Sequence, residues 1–263
     1  MAIDLSKINE KNVGKLFDPS ILPKDSTEAA IRKGARIAAE YNTMSFVVAS
    51  PHYIPAVVEE LKGTDVLPCS CIGFPFGAIP SSIKAAETEL GVKLGAKAFD
   101  FVMNIGALKD GNFKIVQQEL KDFKEAAQGT VTKVIMDIEL LTDEEIATAT
   151  KMIVEAGIDY AKTSSGQYNG PSLEQFEIMY NVCKGTKTKT KVAGVKFPRP
   201  QNAWVFLAAG ADLIGTRDFL PMLTSLPKMR ELGIIPKYDG EGDAGDFLAK
   251  STVLDKDAAK SNY

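Results

Sequence analysis

Eight times along the chain, a short apolar run rich in β-branched residues gives way to a longer amphipathic segment. The extended runs fall at 14–18, 44–50, 66–72, 98–104, 133–138, 160–163, 191–196 and 213–216. Helical periodicity fills the stretches at 27–41, 54–62, 79–94, 114–128, 143–156, 172–183, 201–209 and 220–232. Strands that alternate strictly with helices must lie parallel, and eight such units favour closure into a (β/α)8 barrel, the TIM-barrel architecture. The length of 263 residues suits one barrel of about 250 residues. The competing arrangement is an open doubly wound sheet, which usually carries a glycine-rich phosphate turn after its first strand. Here that position reads Asp18-Pro19-Ser20-Ile21-Leu22-Pro23, without glycine.

Local punctuation agrees with this division. Asp25-Ser26-Thr27-Glu28 and Thr142-Asp143-Glu144-Glu145 place short polar side chains where they can accept the orphan N–H groups of a helix start. Leu94-Gly95-Ala96, Ala156-Gly157-Ile158 and Ala209-Gly210-Ala211 supply left-handed helix stops before the next strand. No linker divides the chain, so a single domain over residues 1–263 is expected, with a flexible tail at about 233–263.

Charge and cysteine content narrow the function classes. The net charge of -3, from 31 Lys+Arg against 34 Asp+Glu, gives no basic excess to attract nucleic acid. The run Lys184-Gly185-Thr186-Lys187-Thr188-Lys189-Thr190-Lys191 is basic but has no aromatic residue for base stacking, and reads as a solvated loop. No apolar run is long enough to span a bilayer, and the N-terminus lacks the pattern of a secretory signal. Three cysteines make no disulfide framework. Cys69-Ser70-Cys71 puts two thiols on one face of a strand, and the expectation is buried, reduced thiols in a cytoplasmic protein. With a single histidine, His52, there is no cluster for a metal.

In a barrel the chemistry gathers at the C-terminal ends of the strands, so ionisable groups there are the candidates. Lys162 lies at the end of the sixth run, within Ala161-Lys162-Thr163-Ser164-Ser165-Gly166. A lysine closing an apolar strand is desolvated, which lowers its pKa and makes it an amine nucleophile towards carbonyls. The seventh run carries Lys196, expected at a similar height, where a second ammonium lowers the first pKa further. Asp100 lies among apolar residues in the fourth run, where a carboxylate is tolerated only if paired. Asp18 closes the first. Structural ion pairs plugging the barrel are the bland alternative, but two neighbouring lysines repel and fit it poorly.

These stretches, Ala161-Lys162-Thr163-Ser164-Ser165-Gly166, Val192-Ala193-Gly194-Val195-Lys196, Phe99-Asp100-Phe101-Val102-Met103-Asn104 and Ile72-Gly73-Phe74-Pro75-Phe76-Gly77-Ala78, resemble the motifs of the deoxyribose-phosphate aldolases, a DeoC/LacD-like family of class I aldolases. Ser50-Pro51-His52-Tyr53-Ile54-Pro55 and Leu140-Leu141-Thr142-Asp143-Glu144-Glu145 match as well, collinearly from about residue 14 to 217. The resemblance implies Lys162 as Schiff-base nucleophile, Lys196 as the neighbour that depresses its pKa, Asp100 as a proton carrier acting through a water, and Asp18 as its brace. It also implies a terminal tyrosine, Tyr263, assisting proton transfer. No cofactor is implied, because the imine is the electron sink. The implied substrate is a sugar phosphate, 2-deoxyribose 5-phosphate or a close analogue, and a homodimer is the implied assembly.

The anion-binding part departs from the family. Its Gly-Gly turn after the second lysine is replaced by Lys196-Phe197-Pro198-Arg199-Pro200, and two prolines remove two N–H donors. After the eighth run stands Gly215-Thr216-Arg217-Asp218, and after the sixth Gly166-Gln167, where a lysine is common in the family. Ser20, Thr163, Gly166, Arg199, Thr216 and Arg217 are therefore the expected substrate-binding residues, with the two arginines suited to phosphate or carboxylate. Two other readings remain open: the same imine chemistry on an unphosphorylated or carboxylated substrate, and a non-catalytic barrel that binds an anionic ligand.

Overall fold

A computed structural model describes residues 3–240. Eight strands, β1 (Phe17–Ile21), β2 (Ser45–Val48), β3 (Leu67–Ile72), β4 (Ala98–Val102), β5 (Val131–Ile135), β6 (Tyr160–Lys162), β7 (Lys189–Ala193) and β8 (Leu213–Thr216), form one closed parallel barrel in chain order. The barrel shuts where β1 pairs with β8, Phe17 opposite Ile214 and Asp18 opposite Gly215. The helices are α1 (Glu28–Glu40), α2 (Ile54–Glu60), α3 (Ser81–Lys93), α4 (Ile105–Lys109), α5 (Phe113–Ala126), α6 (Asp143–Glu155), α7 (Leu173–Cys183), α8 (Arg199–Ala208), α9 (Leu220–Thr224) and α10 (Leu226–Glu231). The alternation read from the sequence is thus the observed architecture.

Several boundaries differ from expectation, and for three of them the physical reason is local. Val13–Leu16 winds as a 3-10 turn, so β1 starts three residues later than the apolar run suggests and carries Pro19. The long helix expected at 220–232 is divided at Ser225 into α9 and α10, each with a proline in its first turn, Pro221 and Pro227. The seventh strand is Lys189–Ala193, not 191–196. Gly194 at φ +72° turns the chain out of the barrel immediately after Ala193. The basic run before it is therefore only partly a solvated loop, since Thr188, Thr190 and Lys191 are buried. Residues 233–240 follow without regular secondary structure and touch the body of the barrel at single points. Ile235 is buried, and Lys7 meets Asp239 at 3.1 Å.

Side chains alternate across each strand. Outward, Phe17, Phe46, Phe99 and Phe101 fill the layer between barrel and helices; Phe101 stacks on Phe123 of α5 at 4.5 Å between centroids. Truncating one such ring costs about 3–5 kcal/mol. Beside Phe101 lies a buried ion pair, Lys84 of α3 to Glu119 of α5 at 2.6 Å. Lys84 also donates to the Val102 carbonyl at 2.9 Å, and Glu119 accepts the Asn104 N–H at 2.8 Å. All polar groups of this pair are satisfied, and together they fix the end of β4, the strand that carries Asp100. At the opposite pole, Asp159 accepts the N–H of Thr132 on β5, and Asp212 accepts that of Thr190 on β7, each bond joining one strand to the start of the next. The helix starts are as read: Thr27 accepts from the Ala30 N–H, and Thr142 forms a capping box with Glu145.

The loops after β6 and β7 touch backbone to backbone. A Cβ on Gly170, at φ +73°, would lie 1.9 Å from the Gly194 carbonyl oxygen. Gly170→Ala should therefore lower stability by about 1–3 kcal/mol, combining positive-φ strain with a clash against rigid backbone. Gly185→Ala, at φ +82° with nothing near the added methyl, should cost only about 1 kcal/mol. Urea unfolding of both variants checks the contrast, and equal losses would show that the contact is not a constraint.

Candidate active site

Inward-facing positions of the barrel are apolar at one side, Val47, Cys69, Cys71 and Ala98, and charged at the other. The charged set is Asp18 on β1, Asp100 on β4, Lys133 on β5, Lys162 on β6 and Lys191 on β7, all buried. Asp100 Oδ2 lies 2.7 Å from Lys162 Nζ and 2.8 Å from Lys191 Nζ, while its Oδ1 meets Lys133 at 3.0 Å. Asp18 Oδ2 meets Lys191 at 2.7 Å and Lys133 at 3.3 Å, and its Oδ1 accepts the Ser45 hydroxyl at 2.7 Å. Asp100 is thus the hub, touching all three ammonium groups.

Burial alone drives both carboxyls upward in pKa, but the surrounding ammonium groups outweigh it. Lys133 and Lys191 hold Asp18 below its usual range; Lys133, Lys162 and Lys191 hold Asp100 well below. Lys133 is pulled down by burial and raised well above its ordinary value by Asp100 and Asp18. Lys162 departs from the sequence expectation of a lowered pKa. Burial and Lys133 do pull it down, yet Asp100 at 2.7 Å reverses the sign and holds it above its ordinary value.

The three lysines are not equivalent. Lys162 and Lys191 line an open cavity of about 630 Å³ at the C-terminal mouth, while Lys133 is sealed behind it with its Nζ 3.4 Å from Cys69 Sγ. Lys191 and Lys133 each contact both carboxylates, whereas Lys162 contacts only Asp100. Three lysines thus face two carboxylates, one lysine in excess of one-to-one pairing. The cluster reaches neutrality when one lysine becomes an uncharged amine. Lys162 combines a single carboxylate contact with access to the cavity.

Most predicted residues converge here. Asp18, Asp100, Lys162, Ser20, Gly166, Arg199, Thr216 and Arg217 all line the cavity. Thr163 does not. Its Oγ1 donates to the Ala193 carbonyl at 3.2 Å and accepts the Ala193 N–H at 3.0 Å, which ties β6 to β7. Lys196 does not either. It is exposed beyond the Gly194 turn, faces Glu174 of α7, and uses its carbonyl to accept from the Asn202 amide at 3.0 Å. The position beside Lys162 belongs to Lys191, the residue paired with it across β6 and β7. Tyr263 lies outside the described residues. Lys191 and Lys133 were missed, as was Asp137, a buried residue with φ +46° whose carboxylate accepts the Ser165 N–H and fixes the loop after Lys162. The cysteines are free and buried as expected, and burial pushes the Cys69 thiol up to about 12.

No helix among the described residues is long and apolar enough to cross a membrane. The family model for the DeoC/LacD family aldolases matches residues 34–235. The chain is similar to the deoxyribose-phosphate aldolase of Geobacillus sp. (strain WCH70), 38% identical over 208 residues that cover 79% of this chain and 92% of that one. With the enzyme of the same name from Brevibacillus brevis it shares 37% identity over 214 residues, 81% and 96% of the two chains. Among solved structures, the tetrameric deoxyribose phosphate aldolase from Aeropyrum pernix superposes with a TM-score of 0.75 at 26% identity, covering 84% of this chain and 93% of that one. The chain belongs to the DeoC/LacD family of aldolases.

Proposed function

We propose that this barrel is a class I aldolase that cleaves 2-deoxyribose 5-phosphate, or a close analogue, to acetaldehyde and glyceraldehyde 3-phosphate through an imine on Lys162. The observation that carries the assignment is the contact pattern: of the two lysines that reach the cavity, Lys162 alone has a single carboxylate partner. The family of the chain and the names of its relatives support the reaction.

In this reading the Lys162 amine adds to the aldehyde carbon, and loss of water from the carbinolamine leaves an iminium. Removal of the proton from the C3 hydroxyl then breaks the C2–C3 bond. Its electron pair passes to the iminium nitrogen, giving an enamine and releasing glyceraldehyde 3-phosphate. Protonation at C2 and addition of water release acetaldehyde and restore the amine. Asp100 is the group placed to carry protons to and from the nitrogen, through a water in the open cavity, and Asp18 braces it through Lys191 and Lys133. Lys191 takes the part first expected of Lys196: it shares Asp100 Oδ2 with Lys162 and so limits the hold of that carboxylate on the Lys162 proton. Tyr263 remains a proposed partner in protonation at C2. The distal phosphate is assigned to the arginine side of the mouth, Arg199 and Arg217 with Thr216 and Ser20. The enzyme is proposed to act in the cytoplasm, in keeping with its buried free thiols. A homodimer is proposed on the exposed Ile83 and Leu90, one face of α3.

Two experiments bear on this. Borohydride reduction in the presence of acetaldehyde should link the carbonyl carbon covalently to Lys162, as located by peptide mass mapping. Lys162→Ala should abolish that adduct and reduce turnover by about 10⁴-fold or more. A barrel that merely binds anions would give no adduct in the wild type.

The second concerns pH. Rate rises with pH as the Lys162 ammonium gives way to the amine, and the position of that rise follows the Lys162 pKa. In Lys191→Met, Asp100 Oδ2 is left to Lys162 alone, so the pKa moves further up and the ascending limb shifts by about one unit or more to higher pH. Rate at neutral pH should fall at least about tenfold and recover partly in alkali. A pH–rate profile superposable on that of the wild type would remove Lys191 from this role.

A further inference from the structure

The mouth of the cavity holds charge that the protein does not neutralise. Arg199, first residue of α8, and Arg217, just beyond β8, both line it, and neither forms an ion pair with Asp or Glu among the described residues. Two unopposed guanidinium groups above an amine nucleophile mark the place where an anionic end of the substrate lies.

The turn that carries Arg199 explains why side chains have this task. Pro198 and Pro200 flank it and have no N–H to offer, so the backbone presents few donors there. Next to them stands Phe197, which is 76% exposed and contributes nothing to the core. Such a ring on a surface turn needs another explanation, and its neighbour supplies one: the Arg199 guanidinium lies over the Phe197 ring, 4.3 Å from the centroid. A guanidinium stacked on an aromatic face keeps its edge donors free while its swing is restricted.

We propose that Phe197 is a positioning residue that holds the Arg199 guanidinium at the cavity, and that Arg199 and Arg217 clasp the distal anion through their planar forks. Bidentate forks match a carboxylate as closely as a phosphate. The distal subsite therefore takes acceptor aldehydes that end in a carboxylate alongside those that end in a phosphate. This deepens the imine reading above and rests on it.

The test uses the full chain in the synthetic direction, with acetaldehyde as donor and three acceptors: glyceraldehyde 3-phosphate, succinic semialdehyde and neutral glyceraldehyde. The readout is the ratio of kcat/KM for each anionic acceptor to that for the neutral one. The wild type should favour both anions. Arg199→Ala and Arg217→Ala should each reduce the ratio about ten- to hundredfold, mainly through KM. Phe197→Leu should reduce it about two- to fivefold, and Phe197→Tyr should restore it. If Phe197→Leu leaves the ratio intact while Arg199→Ala collapses it, the positioning role is wrong. A ratio untouched by either arginine overturns the clasp, and a succinic semialdehyde rate no better than the neutral one overturns the carboxylate part. Borohydride trapping on Lys162 in every variant keeps the outcome separate from the imine chemistry. Loss of trapping in the wild type would fail that underlying reading instead.

Discussion

Everything at the centre of this barrel depends on the Asp100 carboxylate. It touches three lysine Nζ atoms at 2.7–3.0 Å and is itself fully buried at the floor of the cavity. Removing one partner from such a network leaves an uncompensated buried charge, which costs several kcal/mol, so each member constrains the others. The buried Lys84–Glu119 pair and the capped loops that hold β4 and the end of β6 serve this one atom group by fixing its height in the barrel. The Asp100 contact also works against release of a proton from Lys162: at 2.7 Å it holds the Lys162 pKa above its ordinary value although burial pulls it down.

The mouth follows a different logic. Inside the barrel, carboxylates and lysines are locked by mutual contact; at the rim, Arg199 and Arg217 stand without acidic partners among the described residues, and Arg199 rests on an aromatic ring. Ion pairs locked by mutual contact lie below, and side chains without acidic partners lie above. The depth of the site comes from strands, and its breadth comes from loops.

Much of this was legible in the sequence because burial leaves a conspicuous trace in an apolar strand. Asp100 and Lys162 interrupt hydrophobic runs, so their burial at the cavity could be inferred from residues alone. Lys191 was hidden for the opposite reason. It ends an alternation of lysine and threonine that has the composition of a solvated loop, although its period of two is also that of a strand. Only the register, with Lys162 opposite Lys191, shows that the chain enters the barrel there and leaves at Gly194 before Lys196. Lys133 stands at the start of an apolar run, where a lysine normally reaches solvent, and nothing local reports that its neighbours are Asp18 and Asp100. The displaced start of β1 and the division of the last long helix have the same origin. Periodicity gives the face an element presents, but boundaries are set by single turns and prolines.

The closure between β1 and β8 has a consequence for how the protein comes into being. Asp18 and Lys191 are 173 residues apart in the chain and 2.7 Å apart in the barrel. During synthesis from the N-terminus, β1 emerges early and waits with an open edge until the last strand leaves the ribosome. Until β7 has emerged Asp18 has no Lys191, and the two carboxylates, both earlier in the chain, face an incomplete set of lysines. A chain cut before β7 therefore carries Lys162 in its sequence without Lys191 beside it, and Asp18 without that partner across the barrel.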